Sequence, residues 1–348
     1  MLCRLIARLL VLLPMLWLAQ GVAQAGTLLV ANKAEGSVTL LRSPGFERLA
    51  TLPTGQGPHE IALSPEGLRA LVSNYGSAEQ AGSSLTLLDL AKLRAVATIE
   101  LPPGSRPHGL AWISADKAVV TAEGLRELLL IDVAAAELSQ RIPIDQEGMH
   151  MLTVSRDGQR AWVANLLSGT VSAIDLVTFK KLGDAVSGAG AEGIALVRDG
   201  HELWVSNREA DTISVFDALT LDKLADIPAL GFPIRLESDE RRGLVYASLA
   251  RADAMAVIDV QQRKLIRRID FDIAAADTQP SMLAADASSG SVPVGLKLTG
   301  AGEFLIVAHS NADLLSAWDP NKLELLQIFS AGQEPDGMAW TWIDLPLR

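Results

Sequence analysis

A single cysteine, Cys3, occurs in 348 residues, and it lies in an N-terminal segment with the marks of a secretory signal. Arg4 and Arg8 precede an apolar run over 9–19, and Ala23-Gln24-Ala25 supplies a small-x-small cleavage site. The run is shorter than the roughly 20 residues that span a bilayer. Residues 1–25 are therefore expected to be a cleaved signal peptide, and the mature protein to be periplasmic or secreted with no membrane span. Without Cys3 the chain can form no disulfide, thiolate nucleophile, Cys-ligated zinc or covalently attached c-type haem. That absence suits an oxidising compartment.

Basic clusters are also missing. The formal charge is −11, and loss of Arg4 and Arg8 makes it more negative. Such a surface repels nucleic acid and anionic lipid, so neither is expected as a partner. No Pro/Gly/Ser-rich linker or charge block divides residues 26–348, which read as one domain, and a monomer is expected. There is hardly a helical stretch in it, nor a nucleophile elbow, HExxH, P-loop or EF-hand. The acidic stretch with Asp270, Asp272, Asp277 and Asp286 lacks calcium-ligand spacing and reads as a solvated loop.

What the chain does have is a repeated phrase. Taking Pro107-His108-Gly109-Leu110-Ala111 as one copy, others start 42 residues on at Met149, Ala191 and Pro233, and Pro293 to Pro335 repeats the step. The longer gaps from Pro58 to Pro107 and from Pro233 to Pro293 read as loop insertions. A period near 40 signals stacked supersecondary units. In the copy at Met149, strands are expected over 150–155, 161–165 and 171–175, with a fourth over 180–186. Seven first strands can be counted. The last copy has almost nothing after it, while the N-terminus supplies strands two to four (28–32, 38–41, 48–52) without a first. The expectation is an all-β, seven-bladed propeller of four-stranded antiparallel blades, closed by N- and C-terminal strands in one blade. Closure removes exposed sheet edges.

Pro58-His59-Glu60-Ile61-Ala62-Leu63-Ser64-Pro65-Glu66-Gly67, followed by Leu71-Val72-Ser73-Asn74-Tyr75, resembles the YVTN-type β-propeller repeat. Val30-Ala31-Asn32, Val163-Ala164-Asn165 and Val205-Ser206-Asn207 match its second element, and Ile131-Asp132, Ile174-Asp175 and Ile258-Asp259 its third. The resemblance covers essentially all of the chain after residue 25. It implies the propeller fold and a family circle that includes lactonases, haem d1-type domains and proteins without known reaction. It does not choose among them.

Some repeated residues read as structural. Asp89, Asp132, Asp175, Asp217, Asp259 and Asp319 close third strands, where a carboxylate caps the following turn. Trp162, Trp204 and Trp318 are expected to pack between blades. Asn32, Asn74, Asn165 and Asn207 close second strands as loop caps, with Ala122, Ser248 and His309 in the equivalent places; His309 stands out as a candidate binding residue.

The candidate site comes from the residue after each phrase start. In blade order these are Asp336, His59, His108, His150, Glu192, Ile234 and Val294, an asymmetric polar arc at the channel mouth. The insertions over 75–84 and 270–292 should lie on the same face, where binding groups gather. His59, His108 and His150 are candidates for a transition metal or a haem axial position, with Met149 and Met151 nearby, because neutral imidazole suits Zn, Cu and Fe. The alternative is that these histidines bond a neighbouring blade's backbone. A lactonase-like hydrolase would use Glu192, His150 or His108 as acid or base, and Arg235 to hold an anionic substrate. The leading expectation is an accessory protein that binds a small molecule or a protein partner through this face, in a periplasmic redox context that the resemblance implies. The hydrolase and the metal or haem binder are the alternatives, and no cofactor is required by the sequence.

Overall fold

The structure, a computed structural model, describes residues 25–274, 290–300 and 302–346. The signal segment, Asp277 and Asp286 lie outside the described residues. Twenty-eight strands form seven four-stranded antiparallel sheets. We number the blades from the closing one. Blade 1 joins Pro335–Thr341 to Gly26–Asn32, Ser37–Ser43 and Glu47–Pro53. Blades 2 to 7 begin at Pro58, Pro107, Met149, Ala191, Pro233 and Pro293. The first strands touch in cyclic order, the last meeting the first, so they line the axis.

Alternation explains why each blade takes its place. Second and third strands are buried along nearly their whole length, as sheets covered on both faces must be, while fourth strands alternate or face water. Apolar side chains of adjacent blades interdigitate in separate clusters, for instance Trp162, Ile194, Leu203 and Phe216 between blades 4 and 5. Blade 4 has strands at Met149–Val154, Arg160–Asn165, Thr170–Asp175 and Lys180–Val186, within one residue of expectation. The insertion at 75–84 lengthens a hairpin rather than adding a free loop: Arg69–Gly76 and Ala81–Asp89 run on until Gly76 pairs with Ala81.

The turn-capping role of the strand-three aspartates holds. Asp175 accepts from the N–H groups of Val177 and Thr178, Asp217 from those of Leu219 and Thr220, and Asp89 from that of Lys92. The asparagines do more than cap loops. Each directs its amide NH2 to two hydroxyls of its own third strand, as Asn207 does to Thr212 and Ser214. The strand register also corrects one alignment: Pro233 pairs with Leu249, so Leu249 and not Ser248 is the counterpart of these asparagines.

Candidate functional site

Every first strand carries a bulge at the same place. In blade 2, Pro58 pairs with Asn74 and Ile61 with Val72, which leaves His59 and Glu60 opposite a single residue, Ser73. The same shift occurs in the other six blades. A bulge re-aims a side chain and bends the strand, and here it turns the residues of the expected arc inward at the mouth. Hydroxyls of the second strands satisfy the bulged backbone. Ser206 accepts from the Gly193 N–H and donates to the Ile234 carbonyl, and Ser248 accepts from Arg235 N–H and donates to Val294.

The second bulge residue is glycine in four blades because the next strand is too close for a side chain. A Cβ on Gly193 would stand 2.1 Å from the Ile234 carbonyl oxygen, and one on Gly337 2.2 Å from that of His59. The other three blades carry Glu60, Met151 and Arg235 there. Two of these meet across the channel: Arg235 Nη2 lies 2.6 Å from Glu60 Oε1. The same guanidinium is 3.5 Å from Glu192 Oε1 and 3.5 Å from Asp336 Oδ1. Arg235 thus ties blades 1, 2, 5 and 6 together through a buried fork. It is already committed to three carboxylates, which alters the expectation that it waits for an anionic substrate.

A second ring, one residue past the asparagine position of each second strand, completes the network. In blade order it reads Lys33, Tyr75, Glu123, Leu166, Arg208, Ala250 and Ser310. Lys33 Nζ is 3.3 Å from Asp336 Oδ2, with His59 Nε2 3.6 Å from the same oxygen. Tyr75 donates to Glu123, and Arg208 Nη1 lies 2.8 Å from Glu192 Oε2. His150 sits between Glu123 on Nδ1 and Glu192 on Nε2, each at 3.4 Å. Sequence reasoning missed this ring, although the same ruler would have found it by reading one residue past each Asn position.

The three histidines of the arc come together as expected, but their states differ. His108 and His150 rings lie 3.6 Å apart, His59 and His108 4.7 Å, and Tyr75 packs on both His59 and His108. Burial opposes charge on His150, but its two carboxylate partners outweigh this and raise it to about 9, so it is an imidazolium at neutral pH. Burial, reinforced by Lys33 and Arg235, lowers His59 to about 3. His108, fully buried beside His150, is held well below the usual range and stays neutral. Neither nitrogen of His108, nor Nδ1 of His59, has a hydrogen-bond partner. None of the three bonds a neighbour's backbone.

These states decide what the site can hold. An imidazolium with both nitrogens committed offers no lone pair, so His150 cannot join His59 and His108 around a metal ion. Among the described residues no group of three or more His, Cys, Asp or Glu side chains is placed to hold one. Met149 is buried in the apolar cluster between blades 3 and 4, and Met151 packs on that between blades 4 and 5, so neither is aimed as a ligand. A single neutral imidazole with free nitrogens, as His108 presents, has the donor chemistry of an iron ligand.

His309 is not part of the mouth cluster. Its Nδ1 is 2.8 Å from Ser291 Oγ and its Nε2 2.7 Å from Ser316 Oγ, with Phe271 edge-on. It occupies the asparagine position and makes the same kind of strand-three bond as Asn207. Blades 6 and 7 close the ring without charge at the arc positions: Ile234 and Val294 pack with Phe232, Ala250 and Val292. The arc of ionisable groups on blades 1 to 5 is therefore real and one-sided.

Comparison with known proteins follows this geometry. No curated protein matches the sequence. Among solved structures, the dihydro-heme d1 dehydrogenase NirN in complex with DHE is similar over 90% of this chain and 74% of its own, at 18% identity and TM-score 0.64. The periplasmic gluconolactonase PpgL of Pseudomonas aeruginosa is similar over 91% and 99%, at 14% identity and TM-score 0.70. Hydrazine synthase of Kuenenia stuttgartiensis is similar over 87% and 92%, at 15% identity and TM-score 0.68. Likeness at such identities speaks for the shared propeller alone. The sequence itself carries more, since residues 112–339 match the cytochrome D1 heme domain over well more than half the chain. With its seven-bladed scaffold and the matched span running from blade 3 through to the closing strand, this chain belongs to the cytochrome D1 heme domain family.

Proposed function

We propose that the protein is an exported binding propeller that takes a small ligand of the haem type at the channel mouth and serves a redox pathway of the cell envelope. The observation that carries this reading is His108. Buried polar atoms are nearly always hydrogen-bonded, yet both its nitrogens are buried and unbonded, as is Nδ1 of the neighbouring His59. A neutral imidazole in that state is suited to iron, and the family to which the chain belongs is named for haem. His108, with His59 as the neighbouring neutral ring, would hold such a ligand, and Lys33, paired with Asp336, is the cation beside them. Bound haem would bring redox or diatomic-ligand chemistry to the mouth. The side chains packed on His108 are Tyr75, His59 and His150, so a ligand that reaches it displaces one of them. Export rests on the signal-like segment 1–25. No helix among the described residues is long and apolar enough to cross a membrane.

The hydrolase reading gains less from the same geometry. A general base works best with a pKa near the operating pH. Burial would raise Glu192, but His150 and the two arginines outweigh it and hold the carboxyl down at about 2, too acidic to take a proton efficiently. His150 is charged and cannot act as a base either. The test of the haem reading is an absorbance titration of the purified protein with ferric haem. A Soret shift saturating near one equivalent, weakened at least tenfold by His108→Ala, is expected; no shift, or a shift indifferent to His108→Ala, overturns it.

A further inference from the structure

One place in the second ring breaks the run of polar groups on blades 1 to 5: Leu166 stands where its neighbours have Lys33, Tyr75, Glu123 and Arg208. A cleft of about 500 Å³ opens there, between blades 4 and 5, lined by Leu166, Leu167, Val186, Ala189, Arg208 and Glu209 with glycines between them. Its apolar wall is not a buried core surface. Leu167 is 71% and Val186 74% exposed, two of the three largest values among the exposed large hydrophobic side chains of the chain's described residues. Gly169, Gly188 and Gly190 leave the backbone bare around them, and a left-handed φ of 75° at Gly190 turns the chain into strand one of blade 5.

At the inner end of this cleft lies Arg208. Its Nη1 bonds Glu192, but its Nε is buried and has no hydrogen-bond partner. The guanidinium is braced on the Phe232 ring at 5.1 Å, with Arg251 on the same ring at 3.8 Å, so two cations share one aromatic ring. Glu209, half exposed, stands 3.7 Å from each arginine, beyond hydrogen-bond reach, and can yield to a stronger partner. An arginine is the side chain best shaped to take a carboxylate in a two-pronged grip. An apolar trough that ends on such a group suits a molecule with an apolar body and one anionic end.

We infer that this cleft binds an amphiphilic organic carboxylate of roughly ten heavy atoms, a size suited to a pocket of this volume, with Arg208 taking the carboxylate and Leu167 and Val186 covering the chain. The site is separate from His108 and does not rest on the haem reading. Binding by calorimetry with octanoate as probe tests it, with octan-1-ol as the uncharged comparison and no haem present. Octanoate is expected to occupy one site at least tenfold more tightly than octan-1-ol, and to lose at least tenfold in Arg208→Gln. Because that variant also strips Glu192 of a partner, Leu167→Glu on an exposed side chain carries the test independently: it places a like charge at the rim and is expected to weaken octanoate at least tenfold. Leu326→Glu, on the outer strand of blade 7, is expected to bind as the unaltered protein does. Equal affinity for octanoate and octan-1-ol, or octanoate binding unchanged by Leu167→Glu, overturns the inference. Haem titration and octanoate titration are read separately, so either reading can fail without the other.

Discussion

Arg235→Met keeps the apolar stem of the side chain and removes the guanidinium, which isolates the cross-channel fork. Of the three carboxylates it touches, Asp336 retains Lys33 and Glu192 retains Arg208 and His150. Glu60 retains nothing, because Arg235 is its ion-pair partner. Removing one member of a buried pair costs about 3–5 kcal/mol, since a charge is left uncompensated. At about 2 °C per kcal/mol for a domain of this size, the melting temperature should fall by about 6–10 °C at pH 8. The pH dependence identifies the culprit. Burial already pushes the Glu60 carboxyl up, and without Arg235 only the charge on His150 opposes that rise. A carboxyl raised in the folded state keeps its proton while the unfolded chain loses it, so the variant's deficit should grow as pH rises above the usual carboxylate range and shrink below it. Glu60→Gln combined with Arg235→Met should recover most of the loss. Thermal unfolding at pH 5 and pH 8 of the two variants and the parent is the assay. A melting temperature within 2 °C of the parent for Arg235→Met, or no recovery in the double variant, would refute the fork as described.

Two further predictions concern the scaffold around the site. His309, lowered to about 3 by burial, is neutral when folded, whereas the unfolded chain protonates it as pH falls through 6.5; at about 1.4 kcal/mol per pH unit this costs about 2 kcal/mol at pH 5. His309→Asn restores the residue found in four blades and should remove that acid-dependent loss, so the stability difference from the parent in urea unfolding should change by about 2 kcal/mol between pH 7.5 and pH 5; parallel behaviour at the two pH values counts against it. Gly193→Ala would drive a Cβ to 2.1 Å from the Ile234 carbonyl and 2.8 Å from Ser206 Oγ, and is expected to cost about 3 kcal/mol, as overpacked positions do. Gly183→Ala, with nothing within 4 Å of the added carbon, should change stability by about 1 kcal/mol or less in the same measurement.

The 42-residue phrase made the blades and their closure legible because each repeat buries the same alternating faces, and the departures from the phrase located the mouth. What remained hidden depended on distances between repeats. Glu60 and Arg235 were visible as intruders where the phrase has glycine, but only the curvature of the ring brings residues so far apart in sequence to 2.6 Å. The charge states were equally out of reach. Three histidines in equal sequence positions look alike, yet His150 lies between two carboxylates and His59 and His108 do not, so one is charged and two are neutral. Sequence offered a shared metal as one candidate; here Glu123 and Glu192 face both nitrogens of His150 instead. His309 misled for the opposite reason: an unexpected residue type proved to do the ordinary work of asparagine, with Ser291 and Ser316 as its partners.

Blades 6 and 7 provide a comparison inside the same molecule. At the two ring positions and at the residue preceding strand one they carry Ile234 and Val294, Ala250 and Ser310, and Phe232 and Val292, and all of these but Ser310 close into an apolar cluster. The mouth can therefore be sealed without charge, on the same bulged strands. Blades 1 to 5 instead bury Lys33, Glu192, Asp336 and His150 nearly completely, and draw Arg235 across from blade 6 to pair with their carboxylates. Desolvating each ion costs several kcal/mol, and the pairing gained inside the protein commonly no more than offsets that cost. Apolar replacements of similar volume would serve a purely structural ring as well or better. The polar arc is thus an arrangement that stability alone does not require, and this is the physical ground for placing the protein's function on blades 1 to 5 and not on the half of the mouth that packing has closed.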